Sequence, residues 1–163
     1  MSQTTYSYDS AVAVPGLLAD GKYKAHTRIA YEDLEYGRFV RVRTDGTVEY
    51  ATDDSGTMAG VTVYVGMTES TRPQGSKPIL AGQPVTILYQ GDVWVSHSGT
   101  AGAELATVLV HNDDTDGTTQ AKYGKSTAEA ASANVIRTLS SRAVFVDVAE
   151  HTSTLAKVRV NFP

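Results

Sequence analysis

Short apolar runs, each introduced by a glycine, recur along this chain and limit it to a β-rich fold. Three of them are Gly37-Arg38-Phe39-Val40, Ala59-Gly60-Val61-Thr62-Val63 and Gly91-Asp92-Val93-Trp94-Val95. With the other apolar runs of the chain they make roughly eight or nine predicted strands, spaced about 8–12 residues apart, which is typical of an antiparallel sandwich or barrel. The 163 residues suffice for one core. We therefore expect an all-β fold, a compact antiparallel β-sandwich or small barrel of jelly-roll or tulip-like type.

The segment from Arg38 to Ala51 contains the clearest hairpin, and the side-chain faces decide the length of its loop. A two-residue turn at Asp45-Gly46 would mix apolar and charged side chains on each face. A three-residue loop, Thr44-Asp45-Gly46, separates them and puts Gly46 in the left-handed position that ends a type I turn with a bulge. The cross-strand pairs expected from this loop are Val40 with Tyr50, Arg41 with Glu49, and Val42 with Val48.

A central hairpin is also predicted, from Val85–Tyr89 and Val93–Val95 with Gln90-Gly91-Asp92 as its loop. Both runs carry apolar residues on both faces, which suits strands that are covered on both sides. Trp94 is expected to anchor the core there. The other predicted strands are Val61–Val65, Leu105–Val110, Arg142–Val148 with Val144, Val146 and Val148 on one face, and Leu155–Val160 with Ala156, Val158 and Val160 on one face.

One short helix is predicted to begin at Ser126. The sequence Ser126-Thr127-Ala128-Glu129 has the spacing of a capping box, in which the serine accepts from the third helical N–H and the glutamate reaches back. Alanines favour the helix up to Asn134, where it is expected to end after about two turns.

The first 24 residues are predicted to form an extended arm, followed by a single β domain over residues 25–163. Residues 1–10 have almost no aliphatic side chains, and Pro15 restricts Val14 to extended geometry. We expect this arm to be disordered or loosely packed in the free protein and to bind a partner. Tyrosine is enriched in protein interfaces, although the N-terminal tyrosines suit packing on the arm's own domain equally well. The candidate partner-binding residues are Tyr6, Tyr8, Val12, Val14, Pro15, Leu17 and Leu18.

Composition disfavours several classes of partner. The formal net charge is −4, and the basic residues are scattered, so nucleic acid is not expected as the main partner. There is no apolar stretch near 20 residues and no charged-then-apolar N-terminal segment, so we expect neither membrane insertion nor classical secretion. The absence of cysteine excludes disulfides and thiolate metal sites.

No catalytic or cofactor-binding constellation is predicted. Gly124-Lys125-Ser126 resembles the end of a phosphate-binding loop, but Thr119 occupies the place of its first glycine. Ser96-His97-Ser98 puts hydroxyls beside an imidazole, yet neighbouring residues in a strand face opposite sides and no nucleophile elbow is present. The sequence therefore indicates a binding protein and not an enzyme.

A metal site is not predicted either. The four histidines lie far apart. Asn112-x-Asp114-x-Asp116 imitates the opening of a calcium loop, but its twelfth position is Tyr123 in place of the closing glutamate. Weak calcium binding at Asn112–Asp116 stays open, with a plain turn rich in Asn and Asp as the alternative.

Several phrases in order resemble the structural cement or decoration proteins of tailed-bacteriophage heads. They are Pro15-Gly16-Leu17-Leu18-Ala19-Asp20, the Gly-x-Phe-Val strand, Ala59-Gly60-Val61-Thr62, Ala81-Gly82-Gln83-Pro84-Val85 with Gly91-Asp92-Val93-Trp94-Val95, and Leu155-Ala156-Lys157-Val158-Arg159-Val160. The family commonly has Ala-Gly-Asp after the second hairpin, where this chain has Ala101-Gly102-Ala103-Glu104-Leu105.

The resemblance implies a structural virion protein, made in the host cytoplasm, that binds the outside of a phage capsid and cements adjacent major capsid subunits, stabilising the head. It implies the major capsid protein and copies of the chain itself, as a homotrimer, as partners. It also implies that the protein is not an enzyme. The alternative is a carbohydrate- or ligand-binding β-sandwich module of a phage tail or fibre.

Overall fold

The computed structural model describes residues 13–19, 21–52, 57–64, 79–99, 102–111, 124–128, 142–152 and 154–163, and the backbone of 135–136. Within these ranges almost all regular structure is β, which confirms the predicted all-β fold. The strands are β1 (Lys24–Ile29), β2 (Phe39–Val42), β3 (Val48–Tyr50), β4 (Thr57–Val63), β5 (Pro84–Ser96), β6 (Leu109–His111), β7 (Ser126–Thr127), β8 (Val135–Ile136), β9 (Ala143–Phe145) and β10 (Leu155–Asn161).

A curled antiparallel sheet of seven strands forms the body, in the order β3-β2-β4-β5-β10-β9 with β1 also paired to β5. A smaller sheet has the order β7-β6-β8. The larger sheet curls enough for Ala30, just after β1, to bridge to Val48 at its other edge. Two clusters of buried side chains fill the curl, one around Phe39, Leu88 and Phe145, the other around residues such as Leu34 and Ile87.

The predicted β2–β3 hairpin is confirmed with its register. Val40 pairs with Tyr50, Arg41 with Glu49 and Val42 with Val48. Gly46 has a φ of +84°, and its N–H donates to the Arg43 carbonyl at 3.0 Å. Arg41 Nη2 lies 2.8 Å from Glu49 Oε1. The loop is therefore the three-residue one, because only that length keeps the apolar side chains on one face.

The predicted central hairpin is wrong, because Pro84–Ser96 is one continuous strand of 13 residues. Gly91 does not form a turn but lets another part of the chain approach β5 closely. A Cβ on Gly91 would lie 3.0 Å from Tyr23 Cβ and 3.2 Å from the Lys22 carbonyl oxygen. The chain at Lys22 and Tyr23 therefore passes directly over β5 at this glycine, whose φ of +136° is one that residues with a Cβ rarely adopt.

This crossing places the N-terminal part of the chain on both edges of β5. Backbone groups along a strand point alternately to its two edges. Residues 16–19 bond to Asp92 and Trp94 on one edge. On the other edge, Phe162 bonds to the Tyr89 carbonyl and Ala30 to the Gln83 carbonyl, so β1 and β10 lie there. β5 is thus the central element that positions the rest.

Trp94 does not anchor the core, contrary to expectation. It is half-buried, whereas its neighbours Val93 and Val95 are fully buried. The indole faces Lys157, whose Nζ lies 6.0 Å from the ring centroid. Successive side chains of a strand point to opposite faces, so Trp94 faces away from the core that Val93 and Val95 enter. Phe39 and Phe145 are fully buried in that core instead.

The three predicted strands after residue 104 agree with the structure to different degrees. β10 matches the prediction, with Ala156, Val158 and Val160 all buried. The face predicted for Arg142–Val148 is wrong: Ala143 and Phe145 are buried, whereas Val144 is half-buried. β9 ends at Phe145, and a 3₁₀ turn follows at Val148–Glu150. The predicted strand Leu105–Val110 is reduced to Leu109–His111, since Leu105 is exposed with a φ of +61°.

The helix predicted to begin at Ser126 does not begin there. Ser126 and Thr127 form β7, which pairs with Leu109 and Val110 of β6. The Ser126 hydroxyl is used internally, because its Oγ lies 2.8 Å from His97 Nδ1. Residues 129–134 lie outside the described residues. Among the residues described, no helix is long and apolar enough to cross a membrane.

Candidate functional site

The described part of the predicted arm, residues 13–19, is attached to β5. The Gly16 N–H donates to the Trp94 carbonyl at 2.7 Å, and the Trp94 N–H donates to the Leu17 carbonyl at 2.9 Å. Leu18 bridges to Val93 and packs against the larger core cluster. Leu17 and Leu18, both predicted to bind a partner, therefore help to hold the N-terminal segment on its own domain.

A pair of glycines lets this segment lie close to the turn before β2. A Cβ on Gly37 would lie 2.6 Å from Pro15 Cβ, and a Cβ on Gly16 would lie 2.9 Å from Tyr36 Cβ. Both glycines have positive φ, +71° for Gly37 and +82° for Gly16. The Gly16 carbonyl also accepts from the Tyr64 N–H at 3.0 Å. Pro15-Gly16 thus fixes the point at which the N-terminal segment leaves the body, and we call its contact with Gly37 the latch.

A cavity of about 390 Å³ lies beside this latch. Its lining combines the N-terminal segment with residues from the body: Val14, Pro15, Glu35, Tyr36, Arg38, Tyr64, Ser96, His97, Lys125, Thr154 and Leu155. We call it the latch cavity. Its size suits one large side chain or a short peptide segment better than an extended interface.

Two stacked tyrosines form one wall of the latch cavity. The ring centroids of Tyr36 and Tyr64 are 3.7 Å apart, with an angle of 27° between the planes. Burial raises the pKa of Tyr36 and raises that of Tyr64 to about 12. Both phenols are therefore protonated at neutral pH and able to donate hydrogen bonds to a ligand.

Charged groups at the base of the latch cavity are held by the protein itself. Arg38 is buried, and its Nε donates to Glu35 Oε2 at 2.9 Å. Its backbone N–H donates to Thr62 Oγ1 at 3.1 Å. A fixed arginine beside aromatic rings matches the composition of residues that contribute most to protein interfaces.

Ser126 and His97 are in contact, but the serine hydroxyl is not exposed as a catalytic nucleophile would be. Ser126 is fully buried and His97 nearly so. Ser126 Oγ lies 2.8 Å from His97 Nδ1 and donates to the Ser96 carbonyl at 3.3 Å. These contacts join the end of β5 to β7. Among the described residues, no group of three His, Asp or Glu side chains is placed to hold a metal ion. The Asn112–Asp116 loop lies outside the described residues.

The predicted site residues thus fall into three groups. Tyr6, Tyr8 and Val12 lie outside the described residues. Val14 and Pro15 line the latch cavity, while the two leucines lie on β5. Sequence reasoning missed the body's contribution, Tyr36, Tyr64 and Arg38, although Tyr36 belongs to the N-terminal concentration of tyrosines that the sequence shows.

Comparisons with known proteins agree on one group. A family model described as structural cement protein (E217 gp24/Pam3 gp6) matches residues 2–161. A chain in a solved structure of the capsid of Myoviridae Phage XM1 is similar in fold, with a TM-score of 0.69 and 19% sequence identity, over 96% of this chain and 98% of that chain. No curated protein matches.

Proposed function

Since the chain belongs to the phage structural cement protein family and is thus a capsid-stabilising structural protein, we propose that it binds the outer surface of the shell and joins neighbouring major capsid subunits without catalysis. We further propose that it is made in the host cytoplasm and is located on the outer capsid surface of the virion. The observation that supports this mode of binding is the latch cavity, which adjoins the N-terminal segment.

The latch cavity offers the means to grip one protruding side chain of a capsid subunit. The stacked rings of Tyr36 and Tyr64 give a flat apolar wall, and Arg38 and Glu35 give polar contacts at the base. A rigid aromatic wall loses little conformational entropy on binding, so a small contact of this kind contributes effectively. Many copies on one shell then multiply individually weak contacts.

Residues 1–12 are proposed as a second contact. Val14 lies at the latch cavity, and a segment of 12 residues that leaves from there spans up to about 40 Å when extended. We propose that this segment reaches a neighbouring subunit. Tyr6, Tyr8 and Val12 are the residues proposed to contact it, because tyrosine buries a ring while its hydroxyl stays hydrogen-bonded.

A homotrimer is proposed as the form that the chain takes on the shell. Sheet edges that a monomer leaves open are commonly covered by another chain, which favours self-association. The stoichiometry of the protein on heads tests this, and monomers seen on the virion would exclude the trimer.

Deletion of residues 1–10 tests the arm. We expect the melting temperature to stay within about 2 °C of the wild type, since a stretch with few aliphatic residues contributes little to a core. Occupancy on heads that lack the protein should fall. A matched variant, Tyr36→Ser, removes the ring wall of the latch cavity instead. Normal decoration by both variants would exclude the latch region as the docking surface, and failure of the wild type to bind or stabilise heads would refute the proposed function.

A further inference from the structure

Strand β1 has an edge that is open over part of its length. Ala30 donates to the Gln83 carbonyl at 2.9 Å, and Ile29 lies opposite Pro84, which has no N–H to donate. Because backbone groups alternate along a strand, those of His26 and Arg28 point to β5, whereas those of Ala25 and Thr27 point away.

Among the described residues, no backbone group pairs with Ala25 or Thr27 on their outward side. The edge closes only after β1, where Ala30 bridges to Val48. Two outward N–H groups and two outward carbonyls are therefore in place for a further strand, which is the arrangement that strand addition uses.

A hollow lies where β1 pairs with β5, beside this open edge. It has a volume of about 540 Å³ and is lined by Tyr23, Lys24, Ala25, His26, Thr27, Thr86 and Tyr89. The rings of His26 and Tyr89 are stacked with their centroids 5.3 Å apart. A second hollow of about 400 Å³, lined by residues 21–24 and Gln90, continues it. Side chains of a strand added to β1 would therefore lie next to these hollows.

The open edge is basic in a chain whose net charge is −4. Neither Lys24 nor Arg28 forms an ion pair with a carboxylate of the described residues. Arg28 instead donates to His26 Nε2 at 3.2 Å and to the Gly46 carbonyl at 3.2 Å. Burial, followed by the charge of Arg28, lowers the pKa of His26, which favours the neutral imidazole. Asp45, near Gly46, lies 3.8 Å from Arg43.

We infer that the β1 edge binds an extended acidic segment of a capsid subunit by strand addition, with carboxylates beside Lys24 and Arg28. This inference rests on the proposed function and adds a partner site to it. Pairing between β1 strands of two copies is disfavoured, because antiparallel pairing would bring Lys24 and Arg28 of one copy opposite like charges of the other.

Hydrogen exchange on phage heads assembled without the protein and then decorated with it tests the geometry. In the free protein, the amides of His26 and Arg28 should be protected while those of Ala25 and Thr27 exchange rapidly. On heads, the amides of Ala25 and Thr27 should slow at least about tenfold, since each gains a hydrogen bond in the added strand. Unchanged exchange at both positions on decorated heads overturns the inference while leaving the proposed function intact.

Substitutions at Thr27 test the same point by affinity. Thr27→Pro removes one outward N–H that the chain's own sheet does not use, and edge strands tolerate proline. Thr27→Val keeps that N–H and the shape of the side chain. We expect Thr27→Pro to weaken binding to heads by at least about tenfold and Thr27→Val to bind as the wild type does. Equal binding by both variants overturns the inference, and the exchange experiment decides it if Thr27→Pro does not fold.

Charge reversal identifies the occupant. Lys24→Glu should weaken binding several-fold and reduce its salt dependence, whereas Lys24→Arg, which keeps the positive charge, should not. No effect of Lys24→Glu overturns the acidic partner. Two results with the free protein overturn the capsid segment as occupant. Dissociation of a free oligomer by Thr27→Pro assigns the edge to a second copy. Protection of Ala25 and Thr27 in the free wild type that is lost on deletion of residues 1–10 assigns the edge to the arm.

Discussion

Gly37→Ala is the substitution that best tests the latch between the N-terminal segment and the body. The added methyl would lie 2.6 Å from Pro15 Cβ, 2.8 Å from Pro15 Cα and 2.8 Å from the Gly16 nitrogen. Two of these atoms belong to the backbone, so a side-chain rotation cannot relieve the contact. Residues 13–16 must move away from the turn.

The magnitude follows from what that movement breaks. A φ of +71° at an alanine costs roughly 1–2 kcal/mol by itself. Displacement of Gly16 also removes its bonds to the Trp94 carbonyl and the Tyr64 N–H, which contribute about 1 kcal/mol each. We expect Gly37→Ala to lower the free energy of unfolding by about 3–4 kcal/mol.

Gly82→Ala is the matched control. Gly82 has a similar φ of +82°, but no atom lies within 4 Å of a Cβ placed there. It should therefore cost only the conformational part, about 1–2 kcal/mol. Urea unfolding with a common m-value measures both, and the difference of about 2 kcal/mol corresponds to a melting temperature about 4–8 °C lower for Gly37→Ala. Equal destabilisation by the two variants would refute the close approach of Pro15-Gly16 to Gly37.

Three further results are expected. Gly46→Val should cost about 2 kcal/mol, because a β-branched residue resists the left-handed conformation, and Gly46→Asn should cost clearly less; equal costs in urea would contradict the turn. Arg159→Ala should cost about 1–2 kcal/mol, since it leaves the buried Asp92 without the two hydrogen bonds of 2.8 Å from that guanidinium, and a neutral result would show that water replaces it fully. Burial raises the pKa of Tyr64 to about 12, so the stability that the protonated phenol contributes is fully present below about pH 10 and is lost as the pH rises through 12. Tyr64→Phe should therefore flatten the decline in melting temperature at alkaline pH. An unchanged decline would contradict the burial of Tyr64.

Some features of this protein depend on local geometry and were therefore predictable from the sequence. The loop at Thr44-Asp45-Gly46 is one: the side-chain alternation of two adjacent short strands permits a single register, and the structure has it. The alternating run at Leu155–Val160 is another, because the period of two that marks a strand lies within the run itself. The all-β class follows from many such local signals together.

Glycine and the capping motif show where local signals were insufficient. Gly46 and Gly91 both stand between apolar runs, but one makes a turn and the other lies beneath a crossing chain from residues 22–23. The sequence around Gly91 does not contain that crossing. Ser126 likewise has the spacing of a helix cap, yet its hydroxyl contacts His97 and its backbone pairs with β6. Pairing with a distant strand outweighs a local helical preference, since propensities are weak beside tertiary contacts.

The candidate site also has one part that the sequence predicted and another part that it did not. Pro15-Gly16 was visible as the point where a polar segment meets the body, because proline and glycine set backbone conformation by themselves. The cavity beside it was not, since Tyr36, Tyr64 and His97 come from three separate parts of the chain. The open edge of β1 depends on tertiary structure as well, because a strand's own residues do not say which of its edges will find a neighbour. What the sequence determined alone was conformation within a few residues, and what the tertiary structure decided was which distant surfaces meet and which are left for a partner.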